Sequence, residues 1–271
     1  MRRLRAREFS GSGFKLMTTC SPQSGLRLGM MQPYFLPYLG YFSLIKHTDL
    51  WVVFDSAQFI KGGWIERNRV LHPHDGWVYI QVPLEKHPSC ASIAEVKLRK
   101  GQPWRERLLA QLAHYKKAAP YYAQVISLLK DAVDTELEGI AALNVHLLEK
   151  CCCYLEMPFR YTTFSTCSVF GSKVRSPDEW ALETAKAFGA AEYINAPGGM
   201  TFFDNAKYEN AGLRLTFLKP RLIPYDQKRD HFVSGLSIID VMMFNNPSTI
   251  RDMLDEVDLV PGGTAEPVVG E

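Results

Sequence analysis

The side chains best suited to chemistry cluster between residues 32 and 69. Asp55 ends an apolar β-type run, where a carboxylate can bind a ribose, a metal or an amine, or serve structurally as a helix cap or ion-pair partner. Lys61 and Arg69 can hold a phosphate or a carboxylate. The remaining candidates of this segment are Gln58, which we assign to catalysis, and Trp64 and Asn68, which we assign to substrate binding. Because loops seldom concentrate such residues for packing alone, we interpret the cluster as part of a binding site.

The loop before this cluster is rich in aromatic residues. Pro33 and Pro37 stiffen it, and Gly40 permits a close approach of the backbone. Its phenylalanines predict core packing, whereas its other candidates are equally compatible with a small core and with ligand contact. These candidates are Gln32, Tyr34 and Tyr41. In open α/β sheets, the loop after the first strand is a usual place for a ligand.

A second group of candidates lies closer to the C-terminus. Residues 225–232 contain several groups able to do acid–base chemistry. In the same segment we assign Tyr225 and Gln227 to substrate binding. Ser237 is most simply the N-cap of a helix. Asp240, in the first turn of that helix, can complement the helix dipole or hold Ser237 and Arg69 in place, and it is a candidate catalytic residue.

Several common site patterns are absent from the sequence. It has no phosphate-binding G-x-x-x-x-G-K-[ST] loop, no G-x-G-x-x-G after a strand, no G-x-S-x-G elbow and no C-x-x-C pair. His72-x-His74 is better explained by a hairpin turn than by metal binding, so we predict no metal site. The consecutive Cys151, Cys152 and Cys153 cannot all face one site on a helix, and at least two are expected to be small buried apolar residues.

The apolar pattern predicts an α/β fold with a mainly parallel sheet. The predicted strands are Leu26–Gln32, Leu50–Asp55, Trp77–Val82, Ile93–Leu98, Glu192–Asn195 and Leu213–Phe217. The predicted helices are Tyr38–His47, a helix that begins at the capping box Ser176–Glu179 and ends at Gly189, Ser237–Phe244 and Pro247–Val257. We also predict a helical insert at about residues 103–157, in which a capping box at Thr135–Glu138 starts the last helix.

Composition narrows the class of protein. The 271 residues carry a formal net charge of +2, which argues against a dedicated nucleic-acid-binding protein. No stretch is apolar enough to span a bilayer. The six cysteines, of which three are consecutive and three are scattered, form no disulfide framework and favour a reducing, cytoplasmic setting. We expect one α/β domain at residues 26–257, flanked by a disordered extension at 1–25 and a disordered tail at 258–271.

Several motifs follow one another along the chain. They are Gln32-Pro33-x-x-x-Pro37-x-x-Gly40-Tyr41-Phe42, Asp55-x-x-Gln58-Phe59-x-Lys61, Asn68-Arg69, Tyr193-x-x-x-x-Gly198-Gly199 with Phe203-Asp204, and Tyr225-x-Gln227 with Phe232 and Leu236-Ser237-Ile238-Ile239-Asp240. This ordered set resembles the WbqC-like protein family from about Leu26 to Asp255. The chain departs from many relatives at Ser56-Ala57, where they carry an acidic residue or histidine and a valine.

The resemblance implies a role in bacterial O-antigen or cell-surface polysaccharide biosynthesis, with transfer of glycine or another acyl group to an amino sugar. The implied partners are a nucleotide sugar or amino sugar and an acyl or aminoacyl carrier, with no nucleic acid beyond an aminoacyl-tRNA, no membrane and no identified cofactor. In this interpretation Asp55 binds or deprotonates the acceptor amine, and Lys61 and Arg69 hold phosphates. The residues that stack on a ring are Tyr34, Tyr41 and Trp64.

Two alternatives remain open at this point. A strand followed by Pro37-x-x-Gly40-Tyr41 and a second strand with an acidic end is loosely similar to the HIGH-type nucleotidyltransferases, although both histidines of their turn are missing. This similarity implies an ATP-dependent ligase or nucleotidyltransferase with a Rossmann-like fold. The other alternative is a non-catalytic protein that binds a sugar nucleotide.

Overall fold

Eight strands and eight α-helices occupy the part of the chain that the computed structural model describes, residues 25–167, 174 and 176–264. The strands are β1 (Arg27–Met31), β2 (Leu50–Val53), β3 (Arg67–Leu71), β4 (Trp77–Gln81), β5 (Tyr161–Thr163), β6 (Glu192–Asn195), β7 (Arg214–Pro220) and β8 (Val257–Pro261). The helices are α1 (Leu39–Lys46), α2 (Trp104–Gln111), α3 (Tyr122–Val133), α4 (Ile140–Tyr154), α5 (Glu179–Ala187), α6 (Asn205–Asn210), α7 (Ile238–Phe244) and α8 (Pro247–Leu254).

Six strands form the main sheet in the order β5-β2-β1-β6-β7-β8. All neighbours are parallel except β7 and β8, which pair antiparallel. Counted along the chain, the parallel strands have the order 3-2-1-4-5, which is the arrangement of doubly wound, Rossmann-like folds. The predicted α/β class with a mainly parallel sheet is therefore confirmed.

The two faces of this sheet bury alternate residues of each strand. Leu28 and Met30 of β1 pack in the apolar cluster that also contains residues of α5 and α6. Trp51 and Val53 of β2 face the other, larger cluster, to which α1–α4, α7 and α8 contribute. Helices thus cover both faces, which explains why strands such as β2 are apolar throughout.

The helical insert consists of α2, α3 and α4, which lie between β4 and β5 in the chain. Its contact with the rest of the fold includes one buried polar residue, Asn144, whose Nδ2 donates to the carbonyls of Pro33 and Ile65, both at 2.8 Å. The insert therefore holds the loop after β1 in place through the hydrogen bond to Pro33.

None of the helices in the described ranges combines the length and apolar character that a bilayer crossing requires.

Three local predictions are wrong, each because a hydrogen bond or tertiary contact outweighs the apolar pattern. Residues 93–95 form a 3₁₀ turn instead of a strand, since Ser92 and Glu95 form a capping box there. The helix predicted from Thr135 begins at Ile140, because the backbone of residues 138–140 bonds to residues 96–98 instead. The capping box predicted at Ser176–Glu179 does not start α5 at Ser176. The Ser176 hydroxyl donates to the carboxylate of Asp178 instead, and Asp178 is the N-cap of α5.

Three strands, β3, β5 and β8, were absent from the sequence prediction. β5 has only three residues, and its pairing with β2 stabilises it. β3 begins with three polar residues, Arg67, Asn68 and Arg69, and so lacks an apolar pattern, yet it pairs with β4 through the turn at residues 72–76. β8 lies in the segment assigned to the disordered tail, which corrects the start of that tail, because pairing with β7 stabilises this short strand. Residues 1–24 of the predicted extension and 265–271 of the tail lie outside the described residues.

Gly40 allows a close backbone approach at the start of α1. A Cβ atom placed there would lie 2.6 Å from Pro220 Cγ and 2.6 Å from the Tyr38 ring. We expect Gly40→Ala to lower the free energy of unfolding by about 1–3 kcal/mol, since the surrounding core must shift to accept a methyl group. Urea unfolding measures this change. Gly198→Ala is the control, because a Cβ there meets no atom within 4 Å, and an equal loss in both variants would contradict the steric explanation.

Candidate functional site

The order of the sheet places a crevice where the chain changes direction between β1 and β6. From β1 the chain continues to β2 on one side, whereas β6 joins the sheet on the other side of β1. The two loops that leave the carboxyl ends of β1 and β6 therefore diverge, and ligands of open α/β folds bind at such switch points.

A cavity of about 830 Å³ occupies this position, and we call it the switch-point cavity. Its lining is formed by aromatic rings, side-chain amides and small residues from three strand ends and the start of α5. The lining residues are Met30, Met31, Gln32, Tyr34, Phe54, Ser56, Ala57, Gln58, Pro177, Trp180, Ala181, Tyr193, Asn195, Gly198, Gly199, Phe202 and Phe203. Its volume suits a ligand of the size of a sugar or a nucleoside.

The wall after β1 contains two of the predicted residues, Gln32 and Tyr34. The hydroxyl of Tyr41 donates to the carbonyl of Gln32 at 2.9 Å, and its ring lies 5.6 Å from that of Tyr34. Tyr41 is buried beneath this wall and does not line the cavity. Burial raises the pKa of Tyr34 and, more strongly, that of Tyr41, so both phenols are protonated at neutral pH. Tyr34 can therefore donate a hydrogen bond to a ligand.

The wall after β2 is aromatic. Phe54 lies 5.2 Å from Phe164 and 6.0 Å from Trp180, and these two rings lie 5.6 Å from each other. Of these three, Phe54 and Trp180 line the cavity. Gln58, a predicted catalytic residue, lies on the same wall and donates through Nε2 to the carbonyl of Ser89 at 2.9 Å. Its Oε1 can accept a hydrogen bond from a ligand.

The wall after β6 depends on a glycine. A Cβ atom at Gly199 would lie 2.7 Å from Asn195 Nδ2 and 2.7 Å from the Phe203 ring, so only glycine lets both side chains pack here. The Asn195 Oδ1 accepts from the amide of Ala196 at 2.9 Å, which leaves its Nδ2 group beside the turn. Asn195 is thus a positioned amide at the end of a central strand.

Asp55 lies behind the β2 wall. It is the residue predicted to bind or deprotonate the acceptor amine. Its side chain is buried, and its two carboxylate oxygens accept from the backbone nitrogen and the hydroxyl of Ser165, at 2.9 and 2.6 Å. It does not line the cavity. The contact joins the end of β2 to the turn after β5, which carries Phe164 of the aromatic wall.

We expect Asp55→Ala to lower the free energy of unfolding by about 2–3 kcal/mol, since the amide and hydroxyl of Ser165 lose a charged partner. Ser165→Ala is the matched variant, and the double mutant should show a coupling of about 1–2 kcal/mol by chemical unfolding. If Asp55 takes part in catalysis, Asp55→Asn will reduce turnover far more than Ser165→Ala does. Equal effects of both variants on turnover would assign Asp55 to support of the wall.

Asp240 belongs to a separate buried cluster. Tyr115 donates to its Oδ2 at 2.5 Å, Gln227 Nε2 donates to its Oδ1 at 3.0 Å, and the Tyr225 hydroxyl also donates to Oδ1. Burial raises the pKa of Asp240, against the opposing effect of these three hydrogen bonds. The predicted residues Tyr225, Gln227 and Asp240 are therefore brought together, but away from the cavity lining.

The other predicted residues lie on or near the β3–β4 hairpin. Asn68 is buried and donates to the carbonyl of Phe35 at 3.0 Å, which ties β3 to the loop after β1. Arg69 donates to the carbonyl of Gly235 at 3.2 Å, Trp64 is half-exposed, and Lys61 is exposed. None of these four residues lines the cavity, nor does Gly40.

Sequence reasoning did not select several lining residues as site candidates. Trp180 comes from the start of α5 and Phe202 from the loop after β6, while Phe54 and Asn195 end their strands. The general rule that ligands lie at the carboxyl ends of neighbouring parallel strands pointed to Phe54 and Asn195. No local sequence pattern indicates that Trp180 lines the cavity, because the approach of α5 to the crevice depends on tertiary packing.

Comparisons with known proteins give a family match and a similar protein, but no similar solved structure. The profile described as "WbqC-like protein family" matches residues 32–252. The chain is also 24% identical over 235 residues to "Uncharacterized protein Rv1507c" of Mycobacterium tuberculosis (strain ATCC 25618 / H37Rv), an alignment that covers 84% of this chain and 97% of that protein. No solved structure matches the chain.

Proposed function

Because this chain belongs to the WbqC-like protein family, we propose that it is a transferase that attaches an acyl or aminoacyl group to the amine of a nucleotide-linked amino sugar. The acceptor sugar binds in the switch-point cavity. The observation that carries this proposal is the lining, in which aromatic rings and amides occur together and none of the described lining residues is charged. Rings supply apolar contact for a sugar face, and amides such as Gln32 and Asn195 recognise hydroxyl groups.

A lining whose described residues are all uncharged also suits the nucleophile that this reaction needs. Removal from water disfavours the charged form of an amine and lowers its pKa, whereas a carboxylate in the cavity would favour the ammonium form. The neutral nitrogen attacks the acyl carbonyl and forms an amide bond. The bond between the acyl carbon and the carrier breaks, and the proton of the amine leaves with the carrier. Tyr34 and Gln58 are positioned to orient the acceptor.

The donor is an acyl or aminoacyl group on a carrier such as an acyl carrier protein, coenzyme A or tRNA. Such activated donors occur in the cytoplasm, which we propose as the site of the reaction. The product is a building block for cell-surface polysaccharide, as in O-antigen biosynthesis. Since Lys61 and Arg69 lie outside the cavity lining, their proposed role is contact with phosphates of the donor.

Mass spectrometry tests the reaction directly. We expect the mass of a nucleotide-linked amino sugar to increase by one acyl group when it is incubated with the protein and a panel of charged carriers. The same sugar with an N-acetyl group is the control, because it lacks a nucleophilic amine. Calorimetric binding of the amino sugar without any transfer would favour the non-catalytic, sugar-nucleotide-binding function. Absence of binding would contradict the proposal.

The strand order favours one second candidate, an ATP-dependent ligase or nucleotidyltransferase. The 3-2-1-4-5 order with a crevice at its switch point is common in nucleotide-binding folds. This function requires exchange of label between pyrophosphate and ATP in the presence of a carboxylic acid or amino acid. Exchange that is lost in Gly198→Trp, a variant that fills the crevice, would establish it, and no exchange with any acid would exclude self-activation of the donor.

A further inference from the structure

The outer face of the β3–β4 hairpin carries an unusual combination of residues. The register pairs Arg67 with Gln81 and Arg69 with Tyr79, so these four side chains lie on one side of the hairpin. The opposite side is formed by Asn68, Val70 and Ile80, all buried. We call the outer face, together with Trp64, Trp77 and Lys61, the hairpin surface.

Flat groups of the hairpin surface lie side by side. The Arg67 Cζ atom lies 4.0 Å from the centre of the Tyr79 ring, which lies 4.8 Å from the Trp77 ring. Arg69 lies between two indoles, with its Cζ atom 5.2 Å from Trp77 and 5.5 Å from Trp64. Trp64 is 40% exposed and Trp77 is 42% exposed. A single exposed aromatic residue is ordinary, but neighbouring exposed rings form a patch, and such patches mark binding surfaces.

The hairpin surface is also positively charged. Within the described ranges, no carboxylate forms an ion pair with Lys61, Arg67 or Arg69. The neighbouring Glu66 is buried, and its carboxylate accepts from the amide of Gly62 and from Gln81. Stacking on the rings restricts the guanidinium groups, which makes them suited to bind phosphates.

We propose that the hairpin surface binds a single-stranded polynucleotide, which goes beyond the donor-phosphate contacts proposed above for Lys61 and Arg69. Bases stack on Trp64 and Trp77, and phosphates contact Lys61, Arg67 and Arg69, the combination by which proteins bind single strands. Small ligands generally need a concave pocket, whereas an open face with several flat groups in a row suits an extended chain. The chain as a whole is nearly neutral, so the binding depends on this local cluster. A donor carried on RNA would bring the proposed function to the same surface.

Fluorescence anisotropy with labelled 12-nucleotide RNA and DNA strands tests this proposal on the full chain. We expect binding by the wild type, and at least about tenfold weaker binding by the Trp64→Ala/Trp77→Ala double variant, since each stacked base contributes about 1–3 kcal/mol. Arg67→Ala/Arg69→Ala should reduce the dependence of log K on log salt by about 1.4, from two lost phosphate contacts. Leu259→Ala and Arg214→Ala are matched controls, exposed residues on β8 and β7, and should bind like the wild type.

Three results would overturn the proposal. They are no binding of either strand by the wild type, unchanged affinity in the double tryptophan variant, and equal binding of inorganic polyphosphate, which lacks bases. Urea unfolding verifies that each variant is folded. Gly198→Trp, which alters only the switch-point cavity, should keep the wild-type affinity for the strands, so that failure of the acceptor site and failure of the hairpin surface are distinguishable.

Discussion

Introducing tryptophan at Gly198 is expected to weaken binding of the nucleotide-linked amino sugar by at least about 100-fold and to abolish transfer. Gly198 lines the switch-point cavity, and a Cβ atom there would meet no atom within 4 Å. An indole can therefore enter the open space without forcing the backbone to move, and it takes the volume that a ligand needs. The free energy of unfolding should change by no more than about 0.5 kcal/mol, as at other uncrowded surface positions.

Ala57→Trp tests the same cavity from the opposite wall, after β2. Calorimetry with the amino sugar is the measurement for both variants, and Leu259→Trp is the control for adding an indole at an exposed site. Wild-type affinity in both cavity variants would show that the acceptor binds elsewhere. If one variant loses both binding and folding, the other variant still tests the cavity, since the two positions follow different strands.

The position of the switch-point cavity can be predicted from the sequence because it depends on strand order. Apolar runs at β1, β2 and β6 identified the central strands, and a parallel sheet brings their carboxyl ends to one edge. Gln32, Tyr34 and Gln58 come directly from the loops at that edge, and all three line the cavity. Residues that act within a few positions of a strand end are thus accessible to sequence reasoning.

The contacts of the candidate residues were not accessible in the same way. Asp55 was expected to face the crevice, but its partner Ser165 follows it by 110 positions and holds the carboxylate behind the wall. Tyr115 reaches Asp240 across 125 positions. Such pairs depend on how the helical insert and the strands pack, and no local pattern specifies them. The β3, β5 and β8 strands were missed for a similar reason, because their short or polar sequences depend on pairing with neighbouring strands.

Replacing Asp240 with alanine is expected to lower the free energy of unfolding by about 3–5 kcal/mol, the largest loss of stability among these variants. The side chain is fully buried and accepts hydrogen bonds from Tyr115, Tyr225 and Gln227. Alanine leaves the hydroxyls of Tyr115 and Tyr225 without this acceptor in a site closed to water, whereas Gln227 still donates to the carbonyl of Val233, and it opens a small cavity. The effect is large because Tyr115 also accepts from the amide of Leu71, so the cluster joins β3 to α7.

Asp240→Asn separates the role of the charge from that of the hydrogen bonds. Burial raises the pKa of Asp240 in the folded protein above its unfolded value, so the folded state binds the proton more tightly. Its contribution to stability is therefore greatest below the unfolded pKa, near 3.9, and is lost as the pH rises through the folded pKa. Relative to Asp240→Asn, the wild type should lose stability from pH 4 to pH 7, measured by urea unfolding at each pH. A gain over this range would mean that the three donors outweigh burial and favour the carboxylate.

The same variant also tests whether Asp240 takes part in catalysis. Because the cluster lies away from the cavity lining, Asp240→Asn should bind the amino sugar like the wild type. A loss of turnover with unchanged stability would instead support the catalytic role predicted for Asp240.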